Sequence, residues 1–315
     1  MKAKTVKAVL RKKIDEWLAS IEDEGLRAAA RRDTIVTGGA IASMLLKEDV
    51  NDFDVYFKTR DTARRIADYY VARFKPSSAK GIHCQISVRD DEDGRIRIVV
   101  KSAGIASEDG SQKPYEYFEA RPEGEANAYV AEVMRDPGEI EDVHEETQAK
   151  AQATEDDGKP PYRPVFLSTN AITLSHRIQI IIRFFGEPDE IHENYDFVHC
   201  TNYWSSGTEE LVLRPAALET LLSRELRYVG SKYPVCSLIR LRKFISRGWT
   251  VNAGQILKMC MQLSALDLTD MRVLQDQLTG VDAAYFCQVL ERLKEKDPEK
   301  IDSAYLIEVI DRLFG

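Results

Sequence analysis

The chain predicts an α+β protein: a mixed sheet with helices packed on it over residues 1–205, followed by an all-α domain over residues 206–315. Three observations carry this. Residues 34–57 read as strand, Gly-Gly, helix and strand. Alternating or continuously apolar β-type runs return at 83–101, 165–174 and 177–185. From residue 211 onward apolar residues recur at helical spacing through six successive segments.

Taken in order, residues 4–31 read as helix, with Val6, Val9, Leu10, Ile14, Trp17, Leu18 and Ile21 on one face and basic residues on the other. Residues 62–74 form a second amphipathic helix that covers the sheet. Residues 83–101 are two alternating segments around Asp93-Gly94, a hairpin signal, and the acidic residues 90–93 belong to its solvated turn. Residues 105–163 are poor in large apolar side chains and read as an insertion. Strands are expected at 165–174, at 177–185, whose IQIIIRFF is apolar enough to be buried, and from Tyr195 to Cys200. In the helical part, residues 235–247 place Arg240, Lys243 and Arg247 on one face, with Leu238, Leu241 and Ile245 turned to the core.

A chain of 315 residues with 43% hydrophobic and 30% charged side chains buries a sizeable core. No apolar run reaches the length of a membrane span, and the N-terminus lacks a signal-peptide core, so no membrane association is expected and a cytoplasmic location is. The five cysteines are scattered, without a C-x-x-C pair, and read as reduced core residues rather than a disulfide framework or zinc site. The net charge of −8 is unevenly spread: residues 105–160 hold sixteen acidic against five basic side chains, while residues 211–250 are strongly basic. An acidic total therefore does not exclude a polyanionic substrate.

The chemistry gathers in residues 34–57. The strand at 35–37 breaks at Gly38-Gly39, where the backbone turns sharply and presents free N–H groups at the start of a helix, an anion site in outline with Ser43 in its first turns. After twelve residues comes Asp52-Phe53-Asp54 at the start of the next strand. Its alternation puts both carboxylates on one face, about 7 Å apart, where they make a divalent-cation site.

Strand, Gly-Gly, helix and Asp-x-Asp at this spacing resemble the nucleotidyltransferase fold of the DNA polymerase β superfamily, which includes poly(A) polymerases, CCA-adding enzymes, cyclic-dinucleotide synthases and antibiotic nucleotidyltransferases. The resemblance covers about 25 residues. It implies two Mg²⁺ or Mn²⁺ ions on Asp52 and Asp54, an NTP substrate whose phosphates rest on Gly38, Gly39 and Ser43, and a third metal carboxylate on a neighbouring strand. Asp196, flanked by aromatics at the start of the third expected strand, is the candidate for that place. The basic helix resembles the central-domain helix of poly(A) polymerases, which makes Lys243 the triphosphate residue, assisted by Arg240 or Arg247; the preceding turn offers Lys232 to a phosphate and Tyr233 to a base. The implied reaction is transfer of NMP to an acceptor hydroxyl with release of pyrophosphate, an RNA 3′ end being the first choice. Transfer to protein, tRNA or a small molecule, and cyclic-nucleotide synthesis, stay open. CCA addition is disfavoured, because Ala42-Ser43 stands where that branch has Arg-Asp and its Glu-Asp-x-x-Arg motif is not evident. A non-catalytic nucleic-acid-binding or interaction module on the same fold is the alternative of another class.

Overall fold

The computed structural model describes residues 1–74, 86–90, 94–100, 106–107, 159–167, 170–268, 273 and 277. Most of the acidic insertion, Asp91 to Asp93 of the hairpin turn, Cys84, Cys287, the Lys243 side chain and the helices expected beyond residue 268 lie outside this set.

Two helices open the chain, α1 (Ala3–Ala19) and α2 (Glu24–Asp33), where the sequence predicts one. The periodic pattern runs through the break because Ile21 is itself fully buried. Asp23 starts the second helix by accepting a hydrogen bond from the Leu26 N–H at 2.8 Å, a cap worth about 1 kcal/mol. Then follow β1 (Thr34–Thr37), α3 (Gly39–Leu46), β2 (Phe53–Phe57), α4 (Arg60–Arg73) and the hairpin β3 (Ile86–Asp90) with β4 (Ile96–Val100). The remaining strands are β5 (Ala106–Ser107), β6 (Pro164–Leu167), β7 (Ala171–Leu174), β8 (Ile178–Phe185), β9 (Tyr203–Ser205) and β10 (Glu210–Val212). The helices after the hairpin are α5 (Pro188–His192), α6 (Pro215–Ser223), α7 (Pro234–Ser246) and α8 (Ala253–Leu263).

Eight strands form one mixed sheet in the order β10-β9-β1-β2-β8-β7-β6-β5. Only β2 and β8 run parallel; every other neighbouring pair is antiparallel. The mixed α+β architecture expected from the sequence is thus present. The strand expected at 165–174 is two, β6 and β7, folded back on each other. Residue 211, taken as the start of helix, lies in β10, which extends the sheet edge beside β9.

Alternation along β2 decides what lies on each side of the sheet. Phe53, Val55 and Phe57 enter the main core with Val6, Leu10, Ile14 and Trp17 of α1, Ile41 and Met44 of α3, and Ile66 and Tyr70 of α4. Tyr56 enters a separate cluster with Ile35 and Ile191 on the opposite face, the face that parity gives to Asp54. A third cluster joins Ala42 of α3 to Phe197, Leu226, Tyr228, Leu241, Trp249 and Met259, and fastens α6 to α8 against the glycine turn. Among the described residues no helix is long and apolar enough to cross a membrane.

Two expectations about the helical part change. Of the three α7 residues expected in the core, Leu241 is buried, whereas Leu238 and Ile245 are 38% and 49% exposed, because the helix meets the rest of the protein along a narrower stripe than its apolar pattern allows. Cys236 is buried as expected and Cys260 is exposed.

Candidate active site

The strand β1 ends at Thr37, and Gly38 turns the chain with φ +92° and ψ −150°, a conformation open to glycine and strained for any other residue. Space imposes the same choice: a Cβ on Gly38 would stand 2.8 Å from Oδ2 of Asp54. The backbone therefore runs directly against a carboxylate. The Gly38 N–H is used by the Cys200 carbonyl at 3.1 Å. Gly39 opens α3, and a Cβ there would meet nothing within 4 Å. No side chain caps α3, so its first-turn N–H groups are left for another acceptor. Ser43 is half-buried in the second turn.

Asp54 sits opposite Thr37 on β1 and Gln179 on β8, in the middle of the sheet. Asp52 lies one residue before β2 and is half-buried. Burial, and next the Asp52 charge, push the Asp54 carboxyl well above the usual carboxylate range. Around the pair lie groups for which the sequence offered little signal. The ring centroids of Tyr56 and Tyr195 are 6.2 Å apart, and the His192 ring lies tilted against Tyr195 with centroids 5.0 Å apart. Burial, then the charges of Asp196 and Asp54, raise the Cys200 thiol far above its ordinary value. Tyr56 was legible by parity with Asp54 along β2; His192, Tyr195 and Cys200 are brought in by tertiary contacts alone.

Asp196 does not occupy a strand. It lies in a bend after α5; Phe197 makes a single bridge to Tyr228, and Val198–Cys200 closes as a 3₁₀ turn. The Val198 N–H to Arg227 carbonyl and Val229 N–H to Asp196 carbonyl bonds make that bridge, and the 3₁₀ turn that follows at once ends the pairing after one residue. The Asp196 carboxylate, 12% exposed, accepts from Arg240 Nη1 of α7 at 2.6 Å. Among the described residues no three His, Cys, Asp or Glu side chains are gathered to hold a metal, so the expected trio of Asp52, Asp54 and Asp196 is not assembled. Arg240, expected on phosphate, is the partner of Asp196 instead.

The other basic candidates separate. Tyr233, expected to meet a base, is 5% exposed; its hydroxyl accepts from Arg183 at 2.5 Å and from Arg95 at 3.0 Å, and its ring packs near Phe184. Arg247 is exposed at the C-terminal end of α7. Lys232 lines a cleft of about 660 Å³ that Tyr195 and His192 also line, but not Gly38, Asp52, Asp54 or Arg240.

The family model described as "Gabija anti-defense 2 family protein" matches residues 8–224. A curated relative, "Gabija anti-defense 2" of Bacillus phage SPbetaL7, is 23% identical over 123 residues, 38% of this chain and 31% of the relative. The match thus spans about a third of that relative's length. Among solved structures, a Thermotoga maritima CCA-adding enzyme complexed with tRNA aligns with 92% of this chain and 57% of its own, at 11% identity and a TM-score of 0.38. A tRNA-processing enzyme with CTP aligns with 86% of this chain and 55% of its own, at 12% identity and a TM-score of 0.36.

Proposed function

The chain belongs to the Gabija anti-defense 2 family, and from the geometry around Gly38 and Asp54 we propose that it is a metal-dependent nucleotidyltransferase, moving NMP from an NTP to an acceptor hydroxyl with release of pyrophosphate. One observation carries the reading: a glycine-only turn is held 2.8 Å, at its missing Cβ, from the Asp54 carboxylate, which feels the charge of a second one, Asp52, beside the uncapped start of a helix.

The residues fit divalent cations. Two neighbouring carboxylates raise each other's cost of ionisation, and a bound cation would lower that cost for Asp54. Asp52 and Asp54 would hold Mg²⁺ or Mn²⁺, which when bound neutralises the triphosphate and acidifies the acceptor hydroxyl. The chain's own groups do the rest. The first-turn N–H groups of α3, with the Ser43 hydroxyl, hold the β- and γ-phosphates. The sheet fixes Asp54 against the turn, so that the α-phosphorus is presented to the acceptor in one orientation. Tyr56 and Tyr195 keep bulk water from the carboxylate. The acceptor oxygen forms the new bond to phosphorus, the bond to pyrophosphate breaks, and the aspartate pair is the base at hand for the hydroxyl proton. Lys243, with Arg247 exposed just past the end of α7, would serve as a cation for the leaving pyrophosphate.

An RNA 3′ end remains the first choice of acceptor. The family description favours a second, a hydroxyl on a protein partner of the Gabija defence. The test is incubation with Mg²⁺ or Mn²⁺, each α-labelled NTP, total RNA and a bacterial protein extract, with Asp52→Ala/Asp54→Ala as control. Label in the RNA or the protein fraction that vanishes in the control establishes the transferase and names the acceptor. No label in any fraction, together with no metal-dependent NTP binding, leaves a binding protein on this fold.

A further inference from the structure

The sheet fixes Asp54, but it does not fix Asp52. The strand pairings of β2 begin at Phe53, opposite Ile178, so Asp52 ends the largely exposed connection that leaves α3. A metal ligand has to be held to about 0.5 Å, and the Asp52 backbone lies just outside the ladder. What holds it comes from the turn between β7 and β8.

That turn, residues 175–177, is strained. Leu174 pairs with Ile178, and between them His176 and Arg177, two successive residues with side chains, have φ of +64° and +60°. Glycine is the ordinary choice in this region, and other residues stay there only where the surroundings over-determine the conformation. On one side the turn is anchored to the 162–163 segment. The Ser175 N–H donates to the Arg163 carbonyl at 2.9 Å, and the Arg163 N–H returns a bond to Ser175 Oγ at 3.2 Å. The His176 ring lies against Tyr162, with centroids 5.0 Å apart, and the Tyr162 hydroxyl donates to Glu16 of α1 at 3.1 Å.

On its other side the turn reaches the chain before β2 through one residue. The Arg177 carbonyl accepts from the Phe53 N–H at 2.8 Å, and Arg177 Nη1 donates to the Val50 carbonyl at 3.1 Å. The two bonds bracket Asn51 and Asp52. A glycine at this position would take the same φ without strain and could accept the first bond but not donate the second. The clamp on Val50 is therefore what the strained arginine adds over glycine. We propose that Arg177 is a positioning residue: it fastens the chain on both sides of Asp52 and so sets that carboxylate at the spacing from Asp54 that a divalent cation needs. The role rests on the transferase reading, in which Asp52 and Asp54 hold the metal.

The experiment measures metal-dependent NTP binding and stability side by side in the whole protein. Each NTP is titrated calorimetrically with Mn²⁺ and again in EDTA, and urea midpoints are recorded, for wild type, Arg177→Gly, Arg177→Lys, His176→Gly and Asp52→Ala. Arg177→Gly frees the backbone at φ +60° while removing the clamp on Val50. It is expected to weaken Mn²⁺-dependent NTP binding at least tenfold with no fall in the urea midpoint. Arg177→Lys, whose ammonium can still donate to a carbonyl, should recover part of the affinity although it leaves the strain in place. His176→Gly relieves strain in the same turn without touching either bond, and should bind as wild type does. The proposal is overturned if Arg177→Gly weakens binding less than tenfold, or does so only together with a lowered urea midpoint, or if His176→Gly loses as much. Should wild type show no Mn²⁺-dependent binding, or Asp52→Ala retain it, the transferase reading fails and the positioning role with it. Wild-type binding that Asp52→Ala abolishes and Arg177→Gly leaves intact removes the positioning role alone.

Discussion

At Gly38 one residue type answers two constraints at once. The backbone is in a region that costs a side-chain-bearing residue about 1–3 kcal/mol, and the missing Cβ is the space occupied by Asp54. Gly38→Ala is accordingly expected to lower stability by about 1–3 kcal/mol and to abolish Mn²⁺-dependent NTP binding, because the aspartate must swing away. Urea unfolding and calorimetry check both. Unchanged NTP binding in a folded Gly38→Ala protein would mean that Asp54 is not part of the nucleotide site. Gly39→Ala, which meets open space, is the internal control.

Between elements, two buried aspartates act as ties. Asp33 ends α2 and is 2% exposed; it accepts from Arg32 at 2.7 and 2.8 Å, from Thr59 at 2.7 Å and from Thr62 at 2.6 Å, and so joins β1 to the start of α4. Burial pushes its carboxyl up, but these hydrogen bonds and the Arg32 charge outweigh burial and hold it at about 2. Asp33→Asn is expected to cost about 2 kcal/mol at neutral pH, measurable as a lower urea midpoint with the slope unchanged. Asp196 ties the segment after α5 to α7 through Arg240. Removing the arginine alone leaves a buried carboxylate uncompensated, so Arg240→Met is expected to destabilise by about 1–3 kcal/mol. Adding Asp196→Asn should recover part of that loss. Additive losses in the double variant would show that the two side chains are not coupled.

For the whole molecule, acid is expected to act in two windows. His192 and His199 are both drawn down to about 4, by burial first; His192 is lowered further by Arg214, and Asp189 and Asp196 oppose the respective shifts. His199 is 1% exposed, with Trp249 and Phe244 ring centroids 4.4 and 4.7 Å away. Neither imidazole takes a proton in the folded state until the pH is near 4, whereas an unfolded histidine takes one below about 6.5. Stability is therefore full above 6.5 and falls as pH drops towards 4, by up to about 3 kcal/mol per histidine. Asp33, whose folded value lies below its unfolded one, adds a loss as pH falls from about 4 to 2. Urea midpoints at pH 7, 5.5 and 4.5 test the first window, and His199→Phe should flatten part of that slope. A midpoint constant across this range would contradict the neutral burial of both rings.

What could be read from the sequence was what neighbouring residues decide among themselves. Gly-Gly followed at a fixed spacing by Asp-x-Asp already placed the turn, the helix and the strand that carries Asp54, because turn conformation and strand alternation are local properties of the backbone. The hairpin around Gly94 was legible for the same reason. The break at Ser20 was not, since a buried Ile21 continues the helical period through it. Nor was the fate of Asp196, Tyr233 and Arg240 legible: an aspartate between aromatics reads alike whether its partner is a cation in solution or an arginine 44 residues away. The cleft of Lys232 and His192 belongs to the same class, assembled from segments distant in the chain. Periodicity and turn chemistry determined which elements exist and which way their side chains alternate. Only the packing of those elements decided which charges meet, because a pairing energy depends on distance and burial, and neither is a property of the chain read in order.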